Sequence, residues 1–532
     1  MMLRRLINIM IAGTCLVAFT SCRDFEPDMK VLAGKTEPDD RYLNFTFVVN
    51  SGHYSATRAE EPKGGENGDG REAGFMRENY VSGVTLVFYR NSDGINATAS
   101  STPALAATKV DLVKYYPVTI VSRDAQGTPY TTKQDEAIYT TGEQKITDTD
   151  FDLSATYRVL VIANADLSDK IEKGNSLADV RDKVYTAALY TGTGLGDKAY
   201  AFVMTSENDI QLNFAGVKTI DKVGSYTKEL YSFEGIRIER MAARIDFSTQ
   251  YNYKVGTANK YAAEYKTQDK SSKNYAYPGY VYPVYKTTDS DGNPTSADRF
   301  VVTAIVPFNL SLTNTGCSEY LFKRTDDTSS PYLAEETTTN WVIDPHRASK
   351  TGTAHPTYFD YNLTELVNTA SETDPHAALA AKSNYLTTEF YQSSEARYDL
   401  TVSGSNTADN LIVAYPKENT LLPESPLYYY ATGLAIEGYY YKNDDATATP
   451  TRFVYLGYLR HQGESSLAYL TNEIGSSLDK TTTCKTGLAM NFGIVRNNIY
   501  RVYINKVNEK GELELKIKVK KWDPYIHEYI YM

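Results

Sequence analysis

At 532 residues the chain is long enough for two to four domains, and 42% hydrophobic with 23% charged residues is a globular composition with ample material for cores. A net charge of −11 argues against nucleic acid or an anionic membrane surface as the main partner. Tyrosine is the outlier, with 45 Tyr against 18 Phe and 2 Trp. Tyr favours pleated, half-buried positions with its hydroxyl at the wet edge, which points to β structure outside the cytoplasm.

The first 22 residues read as a secretory signal. Arg4 and Arg5 form a basic start, and Leu6 to Phe19 is an apolar core too short to span a bilayer comfortably. Cys22 follows Thr20 and Ser21 as in a bacterial lipobox, with Phe19 where Leu is usual. A lipid on that thiol would anchor the protein without spanning the membrane. A conventional signal cut nearby is the other reading. Residues 23–40 are polar, carry Pro27 and Pro38, and read as a tether.

The run 41–50, RYLNFTFVVN, predicts a strand with one strongly apolar face. Leu43, Phe45, Phe47 and Val49 lie on that face; Asn44, Thr46 and Val48 lie on the other. A joint follows over 51–74, rich in Gly, Glu and Asn, with Arg58 among small and polar residues. Arg58 is either an ordinary linker charge or a place to cut.

Further strands are expected at 83–90, 115–122, 157–165 and 200–206. Over 176–189 the pattern predicts a helix capped by Ser176, with Leu177, Val180 and Val184 on one face. The stretch 235–248 breaks strict alternation, and a bulge near Arg240 would reconcile it. In the second half, strands are expected at 299–308, 411–416, 427–441, 452–459 and 498–507. Polar loops are expected between about 310 and 400, with a short helix near 376–382. The C-terminal run ELELKIKVK places Leu513, Leu515, Ile517 and Val519 on one face. After Trp522 and Pro524, Ile526, Glu528, Ile530 and Met532 alternate with Tyr525, His527, Tyr529 and Tyr531.

No motif for nucleophilic, metal or phosphate chemistry is present. GTGLGDK at 192–198 lacks P-loop spacing, and DSDGN at 289–293 lacks the later ligands of a calcium loop, so each reads as a turn. The six histidines are far apart in sequence. No catalytic residue, metal ligand or cofactor is assigned. Cys317 and Cys484 could pair in an oxidising compartment, and that choice stays open. The tyrosines at 428–430 and 439–441 could stack on sugar rings, although strand residues filling a sheet is the plainer reading.

The segments YRVLVIANA, FVMTS, IERMAARIDF, IVRNNIYRVYINKV and VKKWDPYIHEY, in that order, resemble type V fimbrilins. These are pilin lipoproteins of bacterial surface fimbriae, and the closest resemblance is to the shaft subunit of the minor, or short, fimbriae. IVRNNIY and IERMAARI are the most specific pieces. The resemblance implies an all-β fold of two tandem β-sandwich domains, transthyretin-like and of Greek-key type, with minor short helices. Its division would be a lipoprotein signal over 1–22, a propeptide with the first strand over 23–58, an N-terminal domain over 59–230 and a C-terminal domain over 231–532. A precursor lipidated at Cys22 would reach the outer membrane. An arginine-specific extracellular protease would cut between Arg58 and Ala59 and remove the strand bearing Leu43, Phe45, Phe47 and Val49.

Loss of that strand would open an apolar groove with unsatisfied backbone groups, which invites a strand from another chain. Leu513, Leu515, Ile517, Val519, Ile526 and Ile530 are the candidate donor residues. Only NEKGE, 508–512, precedes LELKIKVK, which reads as a tight hairpin that must open if this strand is donated. Exchange through 523–532 alone is the alternative. The expected function is a cell-adhesion subunit of a surface fimbria, not an enzyme. Its partners would be copies of itself, accessory fimbrial subunits and host or bacterial surface receptors. A tip or accessory fimbrilin and a surface glycan-binding lipoprotein are the competing readings, with a glycosidase third.

Overall fold

Alternating and fully apolar runs separated by Gly-, Asn- and Asp-rich turns form strands, because each run buries at least one face of a pleat. The computed structural model describes residues 40–49, 71–74, 78–90, 108–120, 138–147, 149–187, 201–206, 209–212, 214, 218–223, 226–252, 260–266, 279–311, 318–325, 342–359, 386–387, 397–401, 407–445, 447–461, 470–472, 492–508 and 513–523.

In the first half the strands are β1 (Asp40–Val49), β2 (Arg71–Ala73), β3 (Gly83–Arg90), β4 (Val110–Pro117), β5 (Thr119–Ile120), β6 (Ile138–Thr140), β7 (Gln144–Ile146) and β8 (Tyr157–Ala163). They continue with β9 (Val184–Tyr185), β10 (Met204–Ser206), β11 (Ile210–Leu212), β12 (Lys218–Val223) and β13 (Tyr226–Arg240). The second half holds β14 (Arg244–Ser248), β15 (Gln250–Asn252), β16 (Lys260–Ala262), β17 (Glu264–Lys266), β18 (Gly279–Tyr285), β19 (Arg299–Phe308), β20 (Glu319–Tyr320) and β21 (Leu386–Thr387). After these come β22 (Arg397–Thr401), β23 (Thr407–Ala414), β24 (Gly433–Tyr441), β25 (Thr451–Tyr458), β26 (Leu470–Asn472), β27 (Asn498–Asn508) and β28 (Leu513–Asp523).

The fold is all-β, with two large mixed sheets and few short helices. The first sheet runs β4-β3-β8-β10-β13-β1-β6-β5, with β11, β12 and β7 attached to β8, β13 and β1. The second runs β22-β23-β14-β27-β18-β19-β24-β25-β26, and β28 lies between β27 and β2. One apolar core centres on the first sheet and runs on to Ile412 of β23 and Ile499 of β27; another lies within the second sheet. Phe45, Phe47, Phe88, Val159, Val161, Phe214 and Phe233 belong to the first; Phe247, Tyr282, Phe300, Ile436, Val502 and Leu515 belong to the second. β8 is buried on both faces, as its continuous apolar run requires.

The chain changes sheets over Met241–Ala243, where a bulge was expected. β13 ends at Arg240 in the first sheet and β14 starts at Arg244 in the second. The passage is stitched from both sides: Met241 N donates to Val203 O at 3.0 Å and Ala243 N to Pro416 O at 2.9 Å. The expected helix is also shorter than its pattern. Ser176 caps α1 (Leu177–Arg181) by accepting from Asp179 N, but Val184 and Tyr185 leave to pair with Glu319 and Tyr320. A β-branched residue at 184 and a waiting strand partner outweigh helical spacing. The expected strand over 427–441 is divided as well, into a helical turn α2 (Leu427–Tyr430) and β24. The segment proposed as a helix near 376–382 lies outside the described residues.

Candidate functional site

β1 is an interior strand, not an edge. On one side it runs parallel to β13, from Asp40 opposite Lys228 to Val49 opposite Ile238, with a register shift between Phe45 and Phe47. On the other side it is antiparallel to β7 over Arg41–Leu43 and to β6 over Thr46–Val48. The turn between β6 and β7 bridges the remaining gap with a side chain. Phe45 N donates to Thr141 Oγ1 at 3.0 Å, and Thr141 N donates to Phe45 O at 3.0 Å. Thr140 Oγ1 donates to Asn44 Oδ1 at 2.6 Å beside it.

Leu43, Phe45, Phe47 and Val49 are fully buried. Phe45 stacks on Phe233 of β13, with ring centroids 5.3 Å apart, and packs near Phe88 of β3 at 6.1 Å. Phe214 meets Phe233 edge-on at 5.8 Å from the next layer. Four such side chains, at roughly 1.5–3 kcal/mol each, make β1 worth about 10 kcal/mol of burial before ordering costs.

The start of β1 is polar. Arg41 Nε lies 3.3 Å from Glu229 Oε2, and Tyr231 Oη donates to the same oxygen at 3.0 Å. Burial, followed by that bond to Glu229, pushes the Tyr231 phenol up to about 12. Asp40 pairs with Lys145 and accepts from Tyr226 Oη at 2.6 Å. Burial alone would raise the Asp40 carboxyl, but Lys145 and Tyr226 outweigh it and hold it below its ordinary value.

The segment after the joint belongs elsewhere. β2 pairs parallel to the end of β28, Arg71 opposite Lys521 and Ala73 opposite Asp523. Glu72 accepts from Arg501 Nη1 at 2.6 Å, Arg244 Nη2 at 3.0 Å and Lys520 Nζ at 3.3 Å. Asp246 closes the cluster, 2.9 Å from Arg244 Nε and 2.9 Å from Arg501 Nη2. Burial would raise the Glu72 carboxyl, but Arg501, then Arg244 and Lys520, drive it far below the ordinary carboxylate range. The chain therefore enters the first sheet with β1 and reappears in the second with β2.

β28 is an integral strand of the second sheet. It is antiparallel to β27 from Leu513 opposite Val507 to Lys521 opposite Asn498, and Leu513, Leu515, Ile517 and Val519 are buried in the second core. Ile526, Ile530, Cys22, Arg58 and Ala59 lie outside the described residues, as do Cys317, Cys484 and residues 192–198. The 289–293 segment is a turn, with Asp289 Oδ1 accepting from Asp291 N and Asn293 N. Tyr428, Tyr430, Tyr439 and Tyr441 are buried, which removes them as a sugar-stacking platform.

The two most specific motif segments meet at the passage between sheets. Arg240 Nε donates to Glu78 O at 3.1 Å, and Arg240 Nη1 donates to Asn497 Oδ1 at 3.3 Å. Arg496 forks onto Glu418 at 2.8 and 2.9 Å and donates to Leu321 O at 3.1 Å. The Arg240–Asn497 bond joins the end of β13 in the first sheet to the turn before β27 in the second. Glu229, Tyr231 and Thr141 had no sequence signal, because single polar residues in a strand pattern read as its solvent face.

No protein-family model and no curated protein matches the chain. Solved structures of similar outline exist at low identity. A candidate cell adhesion protein of Parabacteroides distasonis is 12% identical with a TM-score of 0.35, over 92% of this chain and 98% of that one. A tip fimbrial protein of Porphyromonas gingivalis with a C-terminal truncation is 9% identical with a TM-score of 0.33, over 91% and 100%. A fimbrilin of the same organism is 12% identical with a TM-score of 0.32, over 91% and 99%.

Proposed function

We propose that this chain is a structural subunit of a cell-surface fimbria, assembled by exchange of β1 for a strand of another subunit after a cut between Arg58 and Ala59. One observation carries the reading. β1 fills the middle of the first sheet with four buried side chains, yet its connection onward passes through the 50–70 segment that holds Arg58, and the next described strand lies in the other sheet. A cut at Arg58 leaves β1 held by its seat alone. Its departure uncovers the β13 edge, the β6–β7 edge and the Phe233 floor, and a strand from outside restores all three. Head-to-tail exchange of this kind does not close on itself, so it builds a filament.

On the donor side, β28 remains with β27 and β2, and the segment from 524 onward, with Ile526 and Ile530, reaches the next subunit. Opening β28 instead would expose Leu513, Leu515, Ile517 and Val519 and break the Glu72 cluster, at a cost similar to the gain. Lipidation at Cys22 delivers the precursor to the outer membrane. The mature fimbria mediates adhesion.

A reversible lock separates cutting from strand exit. Asn44 and Ser232 face each other across β1 and β13, a spacing within reach of a disulfide. Asn44→Cys with Ser232→Cys, oxidised, should be cut normally and stay monomeric, and reduction should restore polymerisation. Polymerisation of the oxidised, cut protein would show that β1 need not leave.

A further inference from the structure

A short segment of the second half is built into the first. β20 pairs antiparallel to β9, Glu319 opposite Tyr185 and Tyr320 opposite Val184. Leu321 N donates to Lys183 O at 2.8 Å, and Arg324 Nη1 donates to Asp182 Oδ1 at 2.8 Å. Leu321 and Phe322 belong to the core that centres on the first sheet, where the Arg181 guanidinium lies over the Phe322 ring at 5.7 Å. The second half holds the same segment from the other side. Arg496 Nη1 donates to Leu321 O at 3.1 Å, and Arg496 Nη2 donates to Tyr320 O at 2.5 Å. Residues 318–325 thus form a clasp, with a strand edge on β9 and two carbonyls on Arg496.

The clasp carries a carboxyl that its surroundings do not serve. Glu319 is fully buried, and neither of its carboxyl oxygens has a hydrogen-bond partner among the described residues. Its Oε1 lies 3.2 Å from Arg496 Nη2, but the two N–H groups of that nitrogen go to Tyr320 O and to Glu418 Oε2 at 2.9 Å. One guanidinium therefore faces two carboxyls and serves Glu418. The other charges around the clasp are engaged as well. Lys323 Nζ lies 3.7 Å from Glu239 Oε2, and Lys417 Nζ donates to Ala187 O at 3.1 Å. Beside Glu319, Ser318 Oγ meets His346 Nε2 at 2.8 Å. A buried carboxyl in such a place keeps its proton, because the charged form has lost water and gained no donor. Burial pushes the Glu319 carboxyl well above its ordinary value; the Arg496 charge opposes this and the Glu418 carboxylate adds to it.

We propose that the clasp is a proton-held joint between the two halves, closed while Glu319 is a neutral acid and loosened when Glu319 ionises beside Glu418. Ionisation puts a second buried carboxylate next to a guanidinium already committed to the first, and parting β20 from β9 returns that charge to water. The Met241–Ala243 passage and the Arg240–Asn497 bond lie outside the clasp and remain. The sign of the linkage follows. The closed clasp retains a proton that the open one releases above the ordinary carboxylate range, about pH 4–5. Closure is therefore complete below that range and weakens as pH rises, by up to about tenfold in the opening equilibrium per pH unit, until Glu319 has ionised in the closed clasp too.

The test is amide hydrogen exchange of the full chain over 183–185 and 319–321, between about pH 5 and 8, corrected for the intrinsic pH dependence of exchange. Protection of these amides should fall as pH rises, by up to about tenfold per pH unit. Glu319→Gln fills the same space and cannot ionise, and should make the corrected profile flat. Glu418→Gln leaves Arg496 to Glu319 and should shrink the fall; it carries the test if Glu319→Gln does not fold. Protection that does not change with pH in the unaltered chain overturns the proposal. So does a fall that either variant leaves in place, as titration of His346 would produce.

Discussion

Phe45→Ala should separate two states of the same molecule. In the uncut chain Phe45 is fully buried, stacked on Phe233 and close to Phe88 and Phe47. Replacing a buried Phe by Ala removes its transfer free energy and leaves a cavity, together about 3–5 kcal/mol. The strands that carry Phe88 and Phe233, β3 and β13, are each paired on both sides and cannot collapse into the space, which favours the upper half of that range. Urea unfolding of the uncut protein should show this as a lower midpoint. Filaments assembled from cut Phe45→Ala protein should have wild-type stability, since β1 is no longer in them. A loss below about 1 kcal/mol in the uncut protein would refute the view of β1 as a core strand. An equal loss in the filament would show that β1 never left.

Arg58→Ala should yield an uncut lipoprotein that stays monomeric, seen as a single longer species by electrophoresis and no filaments by electron microscopy. Deleting 524–532 should leave folded, cut monomers; persistent polymers would put the donor strand elsewhere. Glu72→Gln should loosen β2 from β28, raising amide exchange over 71–73 without unfolding the first sheet. The same carboxyl sets an acid limit. Its folded-state value lies below its ordinary one, so its contribution is complete above the ordinary carboxylate range. It should fade as pH falls below about 4, and Glu72→Gln should flatten that part of the stability profile.

The strands were the legible part of the fold. β1 could be read residue by residue, because Leu43, Phe45, Phe47 and Val49 keep strict alternation and one side of their sheet is a closed core. The partners of β1 could not be read. It pairs with β13, almost 190 residues away in sequence, and alternation says which face is buried but not against what. β13 itself was recognised only from Gly235 onward, since Tyr226–Glu234 mixes Thr, Lys, Glu and Ser among its apolar residues. The passage between sheets gave no punctuation. Met241, Ala242 and Ala243 are small or apolar, all buried, with no Gly or Pro to mark a break. The Glu72–Arg244–Asp246–Arg501 cluster was hidden for the opposite reason: charges in strands read as solvent faces, and only the fold brings four of them together from three distant segments.

The most direct measurement is N-terminal sequencing of subunits from filaments sheared off the cell surface. Ala59 as the first residue, with no peptide from 40–49 in the same material, is the expected result. Subunits that begin at Cys22, or that retain Leu43 to Val49 in the assembled filament, would contradict the claim that β1 is cut free and replaced.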